Sequence, residues 1–364
     1  MDRADVVIIG AGFAGAATAC FLARRGIRNI VLIEMESSPG QHSSGRNAAM
    51  IRQLVHDPAI AALAREGAAF IHNMPPSWRE KVSYYQNGSL LLGGDNALGA
   101  LKEDVQTATA AGIDARMVGL HECLAIAPWM EGDDVQGGAW CPGDGVIDIA
   151  AYLRAYVDEA VELGVRIQYD CRVTGIAANV VETSQGPIEA KIIVNAAGAW
   201  AGVVGRMAGA APIALTPFRR HLFVSDEMAG IDPRWPFVWD VEHEAYFRPE
   251  SPGLLLCACD EDAAEPGAEA EHPEAPFWLA EKMIATFPKL ADISISRYWA
   301  GLRTMAPDHR FVIGWDTRRK GFFWVAGLGG HGVTTCAAIG NLAARLISAG
   351  KGAREEPWDP RRFP

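Results

Sequence analysis

Asp5-Val-Val-Ile-Ile-Gly-Ala-Gly-Phe-Ala-Gly15, with the residues that follow it to Glu34, decides how this chain is read. The apolar run 6–9 reads as a buried parallel strand. Gly10-x-Gly12-x-x-Gly15 then opens a helix over 16–25, and a second apolar run, 29–33, ends in Glu34. Strand, glycine turn, helix, strand and an acid about 20 residues on is the order of a dinucleotide-binding unit. Gly10 permits the tight turn, Gly12 lets a pyrophosphate approach the backbone, and Gly15 lets the helix pack close. The helix N-terminus offers free N–H groups to phosphates, and Glu34 is placed to accept from ribose hydroxyls. A glycine-rich turn without a ligand is the alternative, but it gives the three glycines and the acid no task.

The chain has 364 residues, too many for one simple core and enough for two domains. It is 49% hydrophobic and 21% charged, the balance of a globular protein. A formal net charge of -11 argues against nucleic acid as the main partner. It leaves room for an anionic substrate, because a few arginines reverse the field locally. The seven cysteines are scattered and none has zinc-ribbon or CxxC spacing, so no metal site is expected. Cys257-Ala-Cys259 reads as buried small hydrophobes inside a strand. Cysteine usage, the lack of an apolar leader and the lack of a membrane-length apolar run lead us to expect a cytoplasmic protein.

Residues 37–47, Ser-Ser-Pro-Gly-Gln-His-Ser-Ser-Gly-Arg-Asn, read as a loop. Helices are expected over 55–75, 95–112, 148–163, 277–287 and 333–349, the third capped by Asp148 and ended by Gly164. Strands are expected over 166–169, 171–177, 188–195, 222–225, 237–240, 245–248, 254–257, 293–302, 311–315 and 322–326. Asn87-Gly88 predicts a two-residue hairpin joining 82–86 to 89–92. The Glu-, Ala- and Pro-rich stretch 260–276 reads as a solvated surface loop.

Several of these pieces carry a family resemblance. Beside the N-terminal unit they are His42-Ser43-Ser44-Gly45-Arg46-Asn47, Asn195-Ala-Ala-Gly-Ala-Trp200, Trp299-Ala-Gly-Leu-Arg303, Pro307-Asp308, and Gly321-Phe-Phe-Trp-Val-Ala326 with Gly329-Gly330-His331-Gly332. In this order they resemble the D-amino-acid oxidase (DAO) superfamily, which includes glycine oxidase, sarcosine oxidase and the bacterial D-amino-acid dehydrogenases. The chain is similar to D-arginine dehydrogenases through Trp299–Arg303 and Gly321–Gly332.

The resemblance implies an α/β fold: a Rossmann-like FAD domain of DAO type and a second, mostly antiparallel sheet with helices for substrate. The FAD domain would be discontinuous, 1–50, 143–213 and 303–364; the substrate domain would be 51–142 and 214–302. FAD contacts are implied for Gly10, Gly12, Phe13, Ala14, Gly15, Glu34 and Met35. They continue through Ser43, Ser44, Arg46, Asn47, Ala48 and Ala49, then Val173 beside the adenine, then Ala196, Gly198 and Trp200. Arg303, Gly329, Gly330, His331, Gly332, Val333 and Thr334 complete the set, with a helix N-terminus near the flavin's pyrimidine edge, where it would stabilise negative charge.

The implied activity is oxidation of an amino acid by hydride transfer from Cα to flavin N5, giving an imino acid and then a keto acid and ammonia. Such chemistry needs orientation more than acid or base, and a planar arginine fork suits the substrate carboxylate. Arg303 is expected as the clamp, with Arg220 beside it in competition with Arg219, Tyr246 as a hydrogen-bond donor, and His331 at the flavin or one layer behind it.

Departures from the family narrow the expectation. The histidine, tyrosine and glutamate that grip D-arginine are replaced near Met50, Val55 and Ser89, so D-arginine is not the preferred substrate. Met50, Leu91 and Val55 point instead to an apolar side-chain pocket. Gly301 stands where sarcosine oxidase has its flavin-linking cysteine, so FAD would be non-covalent. Thr334 stands where that enzyme has an oxygen-activating lysine, which tilts the expectation from oxidase to dehydrogenase, although Arg52 is a nearby cation. The acceptor, oxygen or a quinone, stays open. So do glycine or N-methyl amino-acid oxidation, 2-hydroxy-acid oxidation, a flavin subunit of a larger complex, and a non-enzymatic sensor.

Overall fold

The computed structural model describes residues 1–128, 134–268 and 270–364. Its centre is β1 (Asp2–Ile9), flanked in parallel by β2 (Ile30–Ile33) and by Ile188–Asn195, with Ile8 opposite both Leu32 and Val194. Every residue of β2 is buried, because both faces of the sheet are covered, and so the strand needs no polar alternation. Between them α1 (Phe13–Arg24) begins at Gly12. A Cβ on Gly15 would lie 1.8 Å from the Gly10 carbonyl oxygen, so only glycine permits this approach of helix to strand.

The sheet has eight strands in the order Val173–Ala177, Val180–Thr183, Ile188–Asn195, β1, β2 and Arg166–Gln168. Phe322–Ala326 joins it parallel to Ile188–Asn195, and Val312–Trp315 pairs antiparallel with Phe322–Ala326. The short strand Val180–Thr183 is an addition to the sequence-based expectation. The helix Gly332–Ala349 crosses α1 closely: a Cβ on Gly340 would stand 2.8 Å from Ala17.

A second, nine-stranded sheet is mostly antiparallel. Its backbone is the long pair Thr216–Ser225 and Ile295–Met305. Gly253–Cys257, Ala245–Glu250, Phe237–Asp240, Ser89–Gly93, Gly137–Cys141 and Arg116–Gly119 continue it in that order, and Asp262–Ala263 lies at the other edge. A small third sheet joins Met50–Ile51, Gly145–Ile147 and Tyr84–Tyr85.

Asn87-Gly88 does not make the expected hairpin. Tyr84–Tyr85 pairs with Gly145–Ile147 in the small sheet, whereas Ser89–Gly93 pairs with Gly137–Cys141 and Phe237–Asp240 in the large one. Gly88 does take the positive φ of +79° that favours glycine, but Trp140 packs on it and its N–H donates to the Asp144 carbonyl at 2.9 Å. The pair therefore moves the chain from one sheet to another, and tertiary partners outcompete the local turn.

Asp148 caps the helix Ile149–Glu162 by accepting from the Ala151 N–H at 2.9 Å. All seven cysteines are free and buried. Among the described residues no helix is long and apolar enough to cross a membrane.

Candidate active site

One cleft of about 520 Å³ runs from the glycine turn after β1 to the paired strands of the large sheet. At its first end Gly10, Gly12, Phe13, Ala14, Glu34 and Met35 line it. The Ala11 N–H donates to Glu34 Oε2 at 2.8 Å and the Glu36 N–H to Oε1 at 3.1 Å. The carboxylate is thus fixed at the strand end, and each oxygen keeps a lone pair for a further donor. Gly15 lies behind the lining, under Gly10, and acts through packing.

The 37–47 segment folds over the turn. Ser44 Oγ accepts from the Phe13 N–H at 3.0 Å, and a Cβ on Gly12 would come within 2.8 Å of it. Ser43 Oγ donates to the Leu302 carbonyl, and Arg46 Nη1 to the Ala300 carbonyl at 3.3 Å, which ties this loop to the strand carrying Arg303. Asn47 Nδ2 donates to the Ser44 carbonyl at 2.8 Å. Ser43, Ser44, Arg46, Asn47 and Ala48 line the cleft. Ala49 does not: its carbonyl accepts from the Ile147 N–H at 3.0 Å, turning it into the small sheet.

Val173, Ala196, Gly198 and Trp200 form another wall, with the His42 ring 4.6 Å from that of Trp200. Gly329, Gly330, His331, Gly332, Val333 and Thr334 close the far side, where the helix Gly332–Ala349 presents its N-terminus. Bare backbone around the glycines, a helix N-terminus at each end and a long continuous cleft fit a dinucleotide. Among the described residues of the lining, three buried polar atoms without partners, Trp239 Nε1, Arg303 Nε and Thr304 Oγ1, mark where a bound group would complete the hydrogen bonding.

The substrate end rests on strand register. Phe218 pairs with Arg303 and Arg220 with Gly301, so Arg220 and Arg303 are diagonal neighbours on one face. Arg219, one residue earlier, faces the other side of the strand, donates to the Ala268 carbonyl and does not line the cleft, whereas Arg220 does. Arg220 is buried and donates through Nε to the Asp260 carbonyl at 2.7 Å. Burial, and then the like charge of Arg220, push the Arg303 guanidinium below its ordinary range.

The stretch expected as a solvated loop is mostly exposed, but its first two residues reach the site. Glu261 Oε2 lies 3.1 Å from Arg303 Nη2 and 3.4 Å from Arg220 Nη2. Asp260 meanwhile holds buried His221, with Oδ2 2.7 Å from Nδ1. Two clustered guanidiniums attract an anion, and Glu261 supplies one while staying partly in solvent.

Tyr246 is buried beside this pair. Burial, then the Cys257 and Cys259 sulfurs, raise its pKa well above the ordinary value, so its hydroxyl keeps its proton and is a donor. Half-buried His331 is pushed down to about 3 by burial and by the Arg52 and Arg303 charges, and it stays neutral.

The apolar pocket is corrected. Met50 lines the cleft, but Leu91 and Val55 are packed in the core away from it. Leu91 shares a sheet face with its register partner Trp239, but it is covered by the core beneath, and Trp239 is the residue that lines the cleft. Arg52 shares the lining, its guanidinium 4.6 Å from the Trp239 ring centroid. Glu261 and Trp239 escaped sequence reasoning. Alternation about Met50 and Ile51 was the available signal for Arg52; for Glu261 there was none.

Comparison with known proteins agrees with this architecture. The FAD dependent oxidoreductase (DAO) family model matches residues 5–346. Mitochondrial sarcosine dehydrogenase of Mus musculus is 27% identical over 389 residues, covering 100% of this chain and 42% of that protein. The chain thus spans about two fifths of the length of the sarcosine dehydrogenases it matches. D-amino acid dehydrogenase of Vibrio atlanticus (strain LGP32) is 23% identical, with 94% of this chain and 96% of that one covered. The structure of L-proline dehydrogenase from P. horikoshii superposes with a TM-score of 0.90 at 25% identity, covering 100% of this chain and 98% of that one. A match over nearly the whole chain, on a fold with the dinucleotide cleft described above, places the protein in the DAO family of FAD-dependent oxidoreductases.

Proposed function

We propose that this protein oxidises the Cα–N bond of an amino acid, giving an imino acid that water converts to a keto acid and ammonia. The observation that carries this reading is Glu261 on Arg303 and Arg220: one carboxylate oxygen within 3.1 Å and 3.4 Å of the two guanidiniums supports a shared anion site. A substrate carboxylate that displaces or joins it would be held by charge-assisted bonds. Tyr246, a permanent donor, would add a third bond. Neutral His331 would border the reacting carbon without adding a charge.

FAD, when bound, supplies the hydride acceptor. Gly10, Gly12, Glu34, Ser43, Ser44, Asn47 and Val173 would hold its nucleotide portion, and Gly329–Thr334 its flavin end. We take the binding to be non-covalent. A Cβ at Gly301 would stand 2.6 Å from the Arg46 carbonyl oxygen, which supports the absence of a linking side chain there. The flavin unit would comprise 1–50, 143–213 and 303–364, and the substrate unit 51–142 and 214–302.

A D-amino acid is the first substrate class, supported by the likeness to D-amino acid dehydrogenase. The likeness to sarcosine dehydrogenases supports a second, a secondary N-alkyl amino acid, which the same clamp would hold.

The test is anaerobic mixing of the yellow protein with D- and L-amino acids, glycine, sarcosine and 2-hydroxy acids. Bleaching of the flavin by an amino acid, lost in Arg303→Met, is expected. Bleaching only by hydroxy acids, or none at all with FAD bound, would overturn the reading. Acid precipitation should leave the pellet colourless and the flavin in the supernatant. Air admitted after bleaching then separates oxidase from dehydrogenase.

A further inference from the structure

The cleft holds a third arginine that the clamp does not use. Arg52 follows the short strand Met50–Ile51, and alternation sends Met50 and Arg52 to the cleft and Ile51 to the core. Its backbone is pinned on both sides. The Arg52 N–H donates to Thr334 Oγ1 at 3.0 Å, and the Gln53 N–H donates to Asp144 Oδ1 at 3.0 Å. Its guanidinium lies on Trp239, and Trp239 in turn pairs across strands with Tyr246, ring centroids 5.3 Å apart. Tyr246 borders Arg220 and Arg303 in the same lining. The cleft therefore has a cationic group at each end of a floor made by two aromatic rings.

The Arg52 guanidinium makes no hydrogen bond or ion pair among the described residues. The carboxylates whose charge reaches it are committed elsewhere: Asp144 to Ser89 and Gln53, and Asp104 to His56. Arg303 faces it with like charge, and His331 is neutral. Arg52 is partly buried, lines the cleft and packs on the Trp239 ring in that lining, so an anion that enters the cleft meets its unused N–H donors. The planar fork, set on an indole face, suits a carboxylate.

Building on the amino-acid reading above, we propose that the substrate carries a second acid group, a carboxylate on its side chain or on its nitrogen substituent, and that Arg52 binds it. The α-carboxylate takes the Arg220–Arg303 pair, the aromatic floor carries the carbon chain, and Arg52 takes the far end. This replaces the apolar side chain expected from sequence, and it disfavours D-arginine further, since Arg52 repels a cation.

The test uses the FAD-loaded protein and acids that cannot be oxidised, with tryptophan fluorescence reporting at Trp239. Succinate and glutarate are compared with butyrate and pentanoate. In the wild type, a diacid of one of these lengths is expected to bind about tenfold or more tightly than its equal-length monoacid. Arg52→Met should abolish that preference and leave monoacid binding in place. Equal binding of mono- and diacids by the wild type, or a preference that survives in Arg52→Met, would overturn the proposal. So would an unchanged preference with a shifted flavin midpoint potential in that variant, because Arg52 would then serve the flavin. If Arg52→Met does not fold, the wild-type comparison decides, with Arg52→Lys keeping charge without the fork. Arg303→Met separates the two readings: if it binds monoacids as the wild type does, the clamp fails, whatever Arg52 does. Anaerobic bleaching by a glutamate-type or an N-carboxymethyl amino diacid then tells which atom bears the second acid.

Discussion

A single guanidinium or imidazole in this cleft is defined by what surrounds it. Arg303 could be singled out in sequence because Gly301-Leu302-Arg303 carries a family pattern, but its partner Glu261 could not, because charged loops are ordinarily solvated. His331 is the clearest residue-scale prediction. Its folded pKa lies near 3, below the ordinary 6.5, through burial first and then Arg52 and Arg303. A depressed folded value means that the neutral ring favours the fold above 6.5 and that this contribution is lost as pH falls toward 3. The rate of anaerobic flavin reduction should therefore show no ionisation between pH 5 and 8 that His331→Gln removes. An inflection in that window that vanishes in the variant would contradict the neutral assignment.

Among elements, two helices meet where the cofactor cleft closes. Pro58–His72 packs on the start of Gly332–Ala349 so closely that a Cβ on Gly67 would sit 1.8 Å from the Thr334 carbonyl oxygen. Backbone cannot yield as a side chain does, so Gly67→Ala should displace the helix N-terminus that borders the flavin end. We expect a stability loss of about 1–3 kcal/mol and weaker FAD retention, read by thermal unfolding and flavin release. Gly99→Ala is the control with opposite sign. It lies in the helix Asp95–Ala110 with nothing within 4 Å of the added Cβ, and should gain about 0.5–1 kcal/mol from helix propensity. Element types along the glycine turn and the later strands were legible because periodicity and glycine spacing are local signals. The Asn87-Gly88 hairpin was not, since Trp140 and Asp144, far along the chain, decide that corner.

Across the whole molecule, Asp144 joins two of the three sheets. Its Oδ2 accepts from Ser89 Oγ at 2.6 Å and its Oδ1 from the Gln53 backbone and side chain at 3.0 Å. Burial raises its pKa to about 6 against the hydrogen bonds that lower it. A raised folded value favours the protonated acid. Its contribution to stability is complete below pH 3.8 and is lost as pH rises through about 6, at a cost of about 3 kcal/mol. Asp144→Asn should remove this dependence, so denaturant unfolding should show the variant gaining on the wild type between pH 4 and 6. A difference that is flat across that range would show Asp144 ionising as it does in water.

What the sequence determined by itself was the dinucleotide unit and the family. Gly10, Gly12, Gly15 and Glu34 lie within 25 residues of one another, so their geometry follows from one strand, one turn and one helix. What only the tertiary structure decided was the charge arrangement of the substrate end. Arg52, Arg220, Trp239, Tyr246, Glu261 and Arg303 come from six separate segments and meet through strand register. Shifting one strand by a single residue would turn its side chains to the other face, and that register is set by the packed cores, not by neighbours in sequence.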